Sequence, residues 1–245
     1  MAQSRQQIRQ QQRKGGGNNK SDAWIYVVIG FFLAATIAVI VFFAVKPSKE
    51  TASLTGDTAV SSPADTTQQE FHKEPQVKGE HEKAVFTMEN GESFTVELYP
   101  EYAPKTVDNF KKLVLEGFYN GITFHRVVEG FMAQGGDPEG TGMGGSAKTV
   151  KGEFASNGFG KNLLSHQRGV ISMARSSDPN SASSQFFICY DDASFLDGEY
   201  AAFGKVIEGM ETVDNFLKVE REQNEMGEVA IPKTPIVIKN ATIVK

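Results

Sequence analysis

The chain of 245 residues has one cysteine, one tryptophan and four histidines. A single cysteine excludes an intramolecular disulfide framework and any cysteine-rich zinc site. Basic charge is not in surplus: 25 Lys+Arg against 30 Asp+Glu give a formal net charge of −5. Neutralising phosphates takes clustered Lys and Arg, so no nucleic-acid partner is expected. The Gly-x-Ser-x-Gly elbow, the His-Glu-x-x-His zinc pair and the phosphate-cradling Gly-x-x-x-x-Gly-Lys-Ser/Thr loop are all missing. A serine hydrolase built on Ser146 or Ser165 therefore has no supporting motif. Cys189 lies in the apolar run Gln185-Phe186-Phe187-Ile188-Cys189-Tyr190 and reads as a small buried hydrophobe, not a nucleophile. The glycines of 135–145 are not followed by a helix signal, which argues against a cofactor cradle.

What is present is unevenly distributed. Residues 1–23 hold five basic residues against Asp22, with six Gln and a Gly15-Gly16-Gly17-Asn18-Asn19 run. So little apolar surface cannot offset ordering entropy, and a disordered basic tail is expected. Residues 24–45 are apolar except for Gly30 and Thr36. As a helix they would reach about 33 Å, against a hydrocarbon core of about 30 Å. Trp24 and Tyr26 stand at one end, where amphipathic rings favour the interface. A cleaved signal peptide fits less well, because its apolar core runs to about 7–15 residues and ends in a small-x-small site. The expectation is a transmembrane signal-anchor. The basic residues before it put the N-terminus in the cytoplasm and the remaining chain outside. Residues 46–82 carry four Lys against seven acids and almost no apolar clusters. They read as a flexible linker, with His72 and His81 as solvated tail residues.

From Lys83 to Lys245 the pattern becomes that of a folded domain. Alternating runs at 84–88 and 93–99 flank Glu89-Asn90-Gly91-Glu92, and Asn-Gly between such runs signals a hairpin. Further strands are expected at 122–128, 130–135, 169–174, 185–190, 201–207 and 235–244. A helix is expected over 104–118, with Thr106 as N-cap and Val107, Phe110, Val114 and Phe118 on one face. A second is expected at about 210–220. It repeats the string Thr-Val-Asp-Asn-Phe of 106–110 at 212–216, as two helix starts that each bury a Val/Phe pair. Eight strands with turn-rich links suggest a closed or nearly closed antiparallel barrel, mainly β, with two helices.

The chemistry concentrates in Phe124-His125-Arg126-Val127-Val128-Glu129-Gly130-Phe131-Met132-Ala133-Gln134-Gly135-Gly136-Asp137. In strands, Arg126 shares a face with Val128, and Met132 with Gln134. A turn at Glu129-Gly130 would then present a cation, a thioether and an amide on adjacent strands, although on pattern alone a surface arginine beside core Phe and Met is the better reading. This string resembles the signature of the cyclophilins, a family of peptidyl-prolyl cis-trans isomerases. Two further blocks resemble the family in the same order: Ser172-Met173-Ala174 with Ser184-Gln185-Phe186-Phe187-Ile188, and Phe195-Leu196-Asp197-Gly198 with Phe203-Gly204-Lys205-Val206. The likeness covers about 83–245 and does not extend to 1–82.

The resemblance implies an eight-stranded barrel capped by two helices, an activity on X–Pro bonds, and no cofactor or metal. It implies that Arg126 bonds the imide nitrogen and that Gln134 orients Arg126 and bonds the substrate backbone. Phe131, Met132, Phe187 and Leu196 would form the socket for the proline ring. Ala174 and the Arg175 carbonyl would pair with the substrate main chain, and Gln185, Tyr200 and His125 would edge the pocket. Phe195 stands where many eukaryotic members have Trp; losing the indole N–H should weaken cyclosporin binding more than catalysis. Tyr200 replaces a common His, and the loop 175–184 is about one residue longer, a pattern closer to bacterial members. Proline-containing polypeptides are the expected partners of a monomer. The alternative is a non-catalytic module that only binds proline peptides.

Overall fold

The computed structural model describes residues 70–245. The expected tail, the apolar span 24–45 and residues 46–69 of the linker lie outside the described residues. Among the described residues ten strands are formed: β1 (Lys83–Met88), β2 (Ser93–Leu98), β3 (Thr123–Val128), β4 (Met132–Asp137), β5 (Val170–Met173), β6 (Phe186–Cys189), β7 (Ala202–Glu208), β8 (Arg221–Gln223), β9 (Val229–Pro232) and β10 (Ile236–Val244). Eight of them close a barrel in the order β1-β10-β3-β4-β6-β5-β7-β2, with every neighbour antiparallel. The expected barrel is therefore formed. The β8–β9 hairpin, a separate two-stranded sheet, was not anticipated. Among the described residues, no helix is long and apolar enough to cross a membrane.

The inside of the barrel is filled mainly by rings. Phe86, Phe94, Phe124, Phe186 and Phe203 are fully buried there, and Phe86 stacks on Phe94 at 4.8 Å. Helix α1 (Pro104–Leu115) closes one mouth with Val107, Phe110 and Val114; Phe110 meets Phe203 at 5.0 Å. Helix α2 (Met210–Asn215) and the 3-10 turn that follows bring in Val213 and Phe216. Thus both copies of the repeated pentapeptide bury their Val/Phe pair. Each such ring contributes about 1.5–3 kcal/mol by leaving water.

Two expectations need correction. Thr106 is not the N-cap of α1. The helix starts at Pro104, whose missing N–H is harmless in the first turn. The open donors are instead capped from afar: the Glu153 carboxylate accepts from the amides of Lys105 (3.1 Å) and Thr106 (2.8 Å) and from the Thr106 hydroxyl (2.8 Å). Nor do residues 70–82 behave as a solvated linker. His72 pairs with Leu164 in a parallel bridge, its Nδ1 lies 3.1 Å from the Tyr102 hydroxyl, and the Gln76 amide donates to that same hydroxyl at 2.7 Å. His81 is buried, with Nε2 2.8 Å from Glu101, and Val77 packs on Tyr99, Tyr102 and Leu164. The composition is polar, but the polar groups find fixed partners on the barrel wall.

Candidate active site

Alternation along β4, β5 and β6 sends every second side chain outwards. Met132, Phe187 and Cys189 leave the inner core and form a second cluster with Ala193 and Leu196, against which Val128, Phe131, Ala174 and Tyr200 pack. On β3 this alternation is reset by a bulge. Phe124 pairs with Gly135 and Arg126 with Gln134, leaving His125 as the extra residue. Phe124 therefore points inwards, where Val127 follows it, while Arg126 and Val128 face out. Bulges commonly re-aim side chains in this way.

The outer cluster floors an open groove of about 160 Å³, lined by Arg126, Met132, Gln134, Ala174, Arg175, Phe187, Leu196 and Tyr200. That is smaller than the ~300–1,000 Å³ of sites that enclose a drug-sized ligand, and it suits one small ring with its chain running over the rim. All eight lining residues belong to the set expected from the sequence. The other four sit around them. Phe131 and Phe195 meet at 5.6 Å, with Phe195 mostly exposed on the rim. Gln185 stands behind Gln134, and His125 stands behind the arginine instead of lining the groove.

The polar residues form a directed relay. Arg126 Nη1 donates to Gln134 Oε1 at 3.3 Å, and Gln134 Nε2 donates to Gln185 Oε1 at 2.8 Å. Gln185 Nε2 then donates to the carbonyls of Gly142 (3.0 Å) and Gly144 (2.8 Å). Those carbonyls are fixed because Asp137 gathers the loop amides: Glu139, Thr141, Gly142 and Gly144 all donate to its carboxylate. Burial alone would raise the Asp137 carboxyl. The amides of Glu139, Gly144 and Gly142, with His125 nearby, outweigh it and hold the group below its usual range. The glycine-rich loop thus spends its donors on its own aspartate. Gly136 is needed where this strand ends: it has φ +85°, and a Cβ there would lie 2.4 Å from the Ser184 carbonyl.

His125 has both ring nitrogens buried without a hydrogen-bond partner. Burial lowers its pKa, Asp137 opposes that and Arg126 adds to it, so the imidazole is neutral at neutral pH.

Several contributors escaped sequence reasoning. Glu228, at the turn before β9, makes a bidentate pair with Arg126: Nε to Oε2 and Nη2 to Oε1, both 2.8 Å. The Arg175 side chain, to which no role was given beyond that of its carbonyl, donates to the carbonyls of Glu199 (3.1 and 3.0 Å) and Ser176 (2.9 Å). It also lies 4.6 Å from the Tyr200 ring and 5.1 Å from that of Phe154. Below the groove, His166 Nδ1 lies 2.8 Å from Asp197 Oδ1 and its Nε2 3.0 Å from Ser172 Oγ, while its ring stacks on Phe187. Ser172 and His166 are buried, so this Ser–His–Asp line braces the floor and meets no substrate. Ser165 Oγ donates to the same aspartate at 2.6 Å, and Ser146 Oγ donates to the Lys148 carbonyl; neither serine has a histidine as base. Cys189 is buried and its thiol is pushed up to about 12, first by desolvation. Among the described residues, no group of His, Cys, Asp and Glu could hold a metal ion.

The fold and site together define a closed antiparallel barrel that carries an arginine, an amide and an apolar floor in a groove on its outer face. Residues 83–243 match the model of the cyclophilin type peptidyl-prolyl cis-trans isomerase family. The chain is 46% identical over 130 residues to peptidyl-prolyl cis-trans isomerase B of Bacillus subtilis, covering 53% of this chain and 87% of that one. It is 45% identical over 161 residues to a probable peptidyl-prolyl cis-trans isomerase of Brucella suis, covering 60% and 76%. A crystal structure of a cyclophilin type peptidyl-prolyl cis-trans isomerase from Cryptosporidium parvum superposes with TM-score 0.57 at 32% identity, covering 68% of this chain and 99% of that one. The same protein in the presence of the dipeptide Ala-Pro gives 0.56 at 33%, covering 66% and 99%. The chain belongs to the cyclophilin family, and its barrel is a peptidyl-prolyl cis-trans isomerase.

Proposed function

We propose that this isomerase acts on exported or cell-surface polypeptides, held to the outer side of a membrane by residues 24–45, with Arg126 as the group that loosens the imide bond. Rotation about X–Pro faces a barrier of about 18–20 kcal/mol, set by amide resonance, and takes tens to hundreds of seconds unaided. Resonance is lost when the imide nitrogen becomes pyramidal, and a donor that holds its lone pair favours that state. A guanidinium is always charged and offers its N–H groups in a rigid fork. Going from about 0.01 to about 1,000 per second takes ~7 kcal/mol. One charge-assisted bond in a partly dry groove supplies about half of that. Holding the peptide supplies the rest: the proline ring rests on Met132, Phe187 and Leu196, Gln134 bonds the backbone, and the main chain at Ala174–Arg175 pairs with the substrate strand. Phe131, Phe195 and Tyr200 shape the rim, while Gln185 and His125 support it from behind. Cyclosporin would bind weakly, since Phe195 offers no N–H.

The observation that carries this reading is that Arg126, Gln134 and the apolar floor share one groove. Its test is cis–trans exchange on an Ala-Pro peptide, measured by NMR, for the wild type and Arg126→Ala. The variant is expected to lose about 100-fold or more in kcat/KM; unchanged turnover would overturn the role given to Arg126. The membrane reading is supported by the length and uniform apolarity of 24–45 and the basic residues before it. Because Cys189 is buried, Ser61→Cys would be the one accessible thiol. It should react with a membrane-impermeant maleimide in intact cells, and labelling only after lysis would reverse the assigned side.

A further inference from the structure

The β8–β9 hairpin lies beside β3, yet none of its residues lines the groove. Its contribution is the carboxylate on Arg126. We propose that Glu228 is a positioning residue for isomerisation. By occupying Nε and Nη2 it fixes the plane of the guanidinium, so that Nη1 is presented to the groove beside Gln134 and Met132. The inference rests on Arg126 being the donor to the imide nitrogen.

Three observations support it. First, the arginine is held from two sides. Glu228 takes one edge with two bonds of 2.8 Å, while Nη1 meets Gln134 Oε1 at 3.3 Å and lies 4.0 Å from Met132 Sδ. Of the five N–H groups of a guanidinium, three are then committed. One on Nη2 remains free, and the second on Nη1 meets only the Met132 thioether at 4.0 Å, a weak acceptor that a substrate can displace. Second, Glu228 is itself clamped. Asn224 Nδ2 donates to Glu228 Oε2 at 3.0 Å, and Asn224 Oδ1 accepts from the amides of Met226 and Glu228, both at 3.0 Å. The main chain closes the turn from Asn224 N to the Glu228 carbonyl at 2.9 Å, with Gly227 at φ +79°. Third, the hairpin is tied at its base. The Lys233 amide donates to the Glu220 carbonyl at 2.8 Å, and Arg221 lies 3.7 Å from Glu129 in the β3–β4 turn. The carboxylate therefore belongs to a framework that spans the arginine's own hairpin.

A bidentate pair adds geometry as well as energy. An ordinary surface pair would contribute little to stability and nothing to turnover. Here both side chains are less than a third exposed, 29% and 28%, and one of them is the proposed donor. A small misplacement of a donor costs turnover steeply, whereas the apolar floor that sets peptide affinity is untouched.

The test uses the full chain with an Ala-Pro peptide, comparing wild type, Glu228→Gln, Glu228→Asp and Arg126→Ala. Glu228→Gln keeps the shape and the Asn224 contact but loses the charge. It is expected to lower kcat by about tenfold with KM within about twofold. The NMR resonance of the Arg126 Nε–H, protected in the wild type, should broaden or vanish. Glu228→Asp should recover part of both. Wild-type or raised kcat in Glu228→Gln, with Arg126→Ala inactive, would overturn this inference alone. Wild-type turnover in Arg126→Ala would instead remove the reading on which it rests.

Discussion

The two faces of β4, β5 and β6 carry different work on the same strands. Inward residues Ala133, Ile171, Phe186 and Ile188 join the ring-filled core. Outward residues Met132, Gln134, Ser172, Phe187 and Cys189 floor or brace the groove. The inner face is apolar and satisfied by packing alone. The outer face mixes apolar floor with polar groups, each of which has a named partner. A rigid interior thus supports a precise exterior one residue away along the chain, and damage to either face should be separable.

The largest separation is expected between neighbours. Phe186→Ala removes a fully buried ring and should cost about 3–5 kcal/mol, seen as a fall in Tm of about 10 °C, with little change in KM for the protein that remains folded. Phe187→Ala next to it should raise KM several-fold at a smaller stability loss. Equal stability losses with unchanged KM in both would dissolve the distinction between the faces.

Acid sharpens the comparison at the loop behind the groove. Asp137 and His125 both bind protons less readily in the fold than in the unfolded chain. The unfolded state therefore takes up more protons, and stability falls on acidification. The His125 share goes first, as pH drops from the ordinary imidazole value of 6.5. The Asp137 share goes as pH falls from the ordinary 3.8 through its lowered value. Denaturant midpoints from pH 8 to 3 should show both declines, and a midpoint flat from pH 7 to 5 would contradict the burial of His125. Above pH 7, kcat/KM should be flat, since Arg126 keeps its charge; a bell-shaped profile would reveal proton transfer. The smallest effect is expected at the rim. Phe195 is 71% exposed, so Phe195→Ala should change stability by less than about 0.5 kcal/mol and raise KM by about two- to threefold in a peptide titration.

The β1–β2 hairpin and the β8–β9 hairpin mark how far the residues alone could be read. The first is announced by Asn90-Gly91 between alternating runs, and the turn forms with Gly91 at φ +88°. The second has strands of three and four residues, two of them charged and one a proline, and carries no period to detect. Arg126, Gln134 and the socket residues were legible because they lie in one short string and two blocks of fixed order. Glu228, Glu153 and the His166–Asp197 brace were not, since each acts on a partner far along the chain. Residues 70–82 misled for a related reason: their polarity looks like that of a solvated linker until Tyr102, Glu101 and Leu164 are brought alongside.

By itself the sequence determined the barrel's strand pattern and its two helices, because period-two alternation and turn chemistry are properties of neighbouring residues; the expected members of the groove came from the resemblance of one string and two blocks to the cyclophilins. Only the tertiary structure decided which face Arg126 occupies, through the bulge at His125, and which carboxylate grips it. Both depend on register and on contacts between distant segments, which no local pattern encodes.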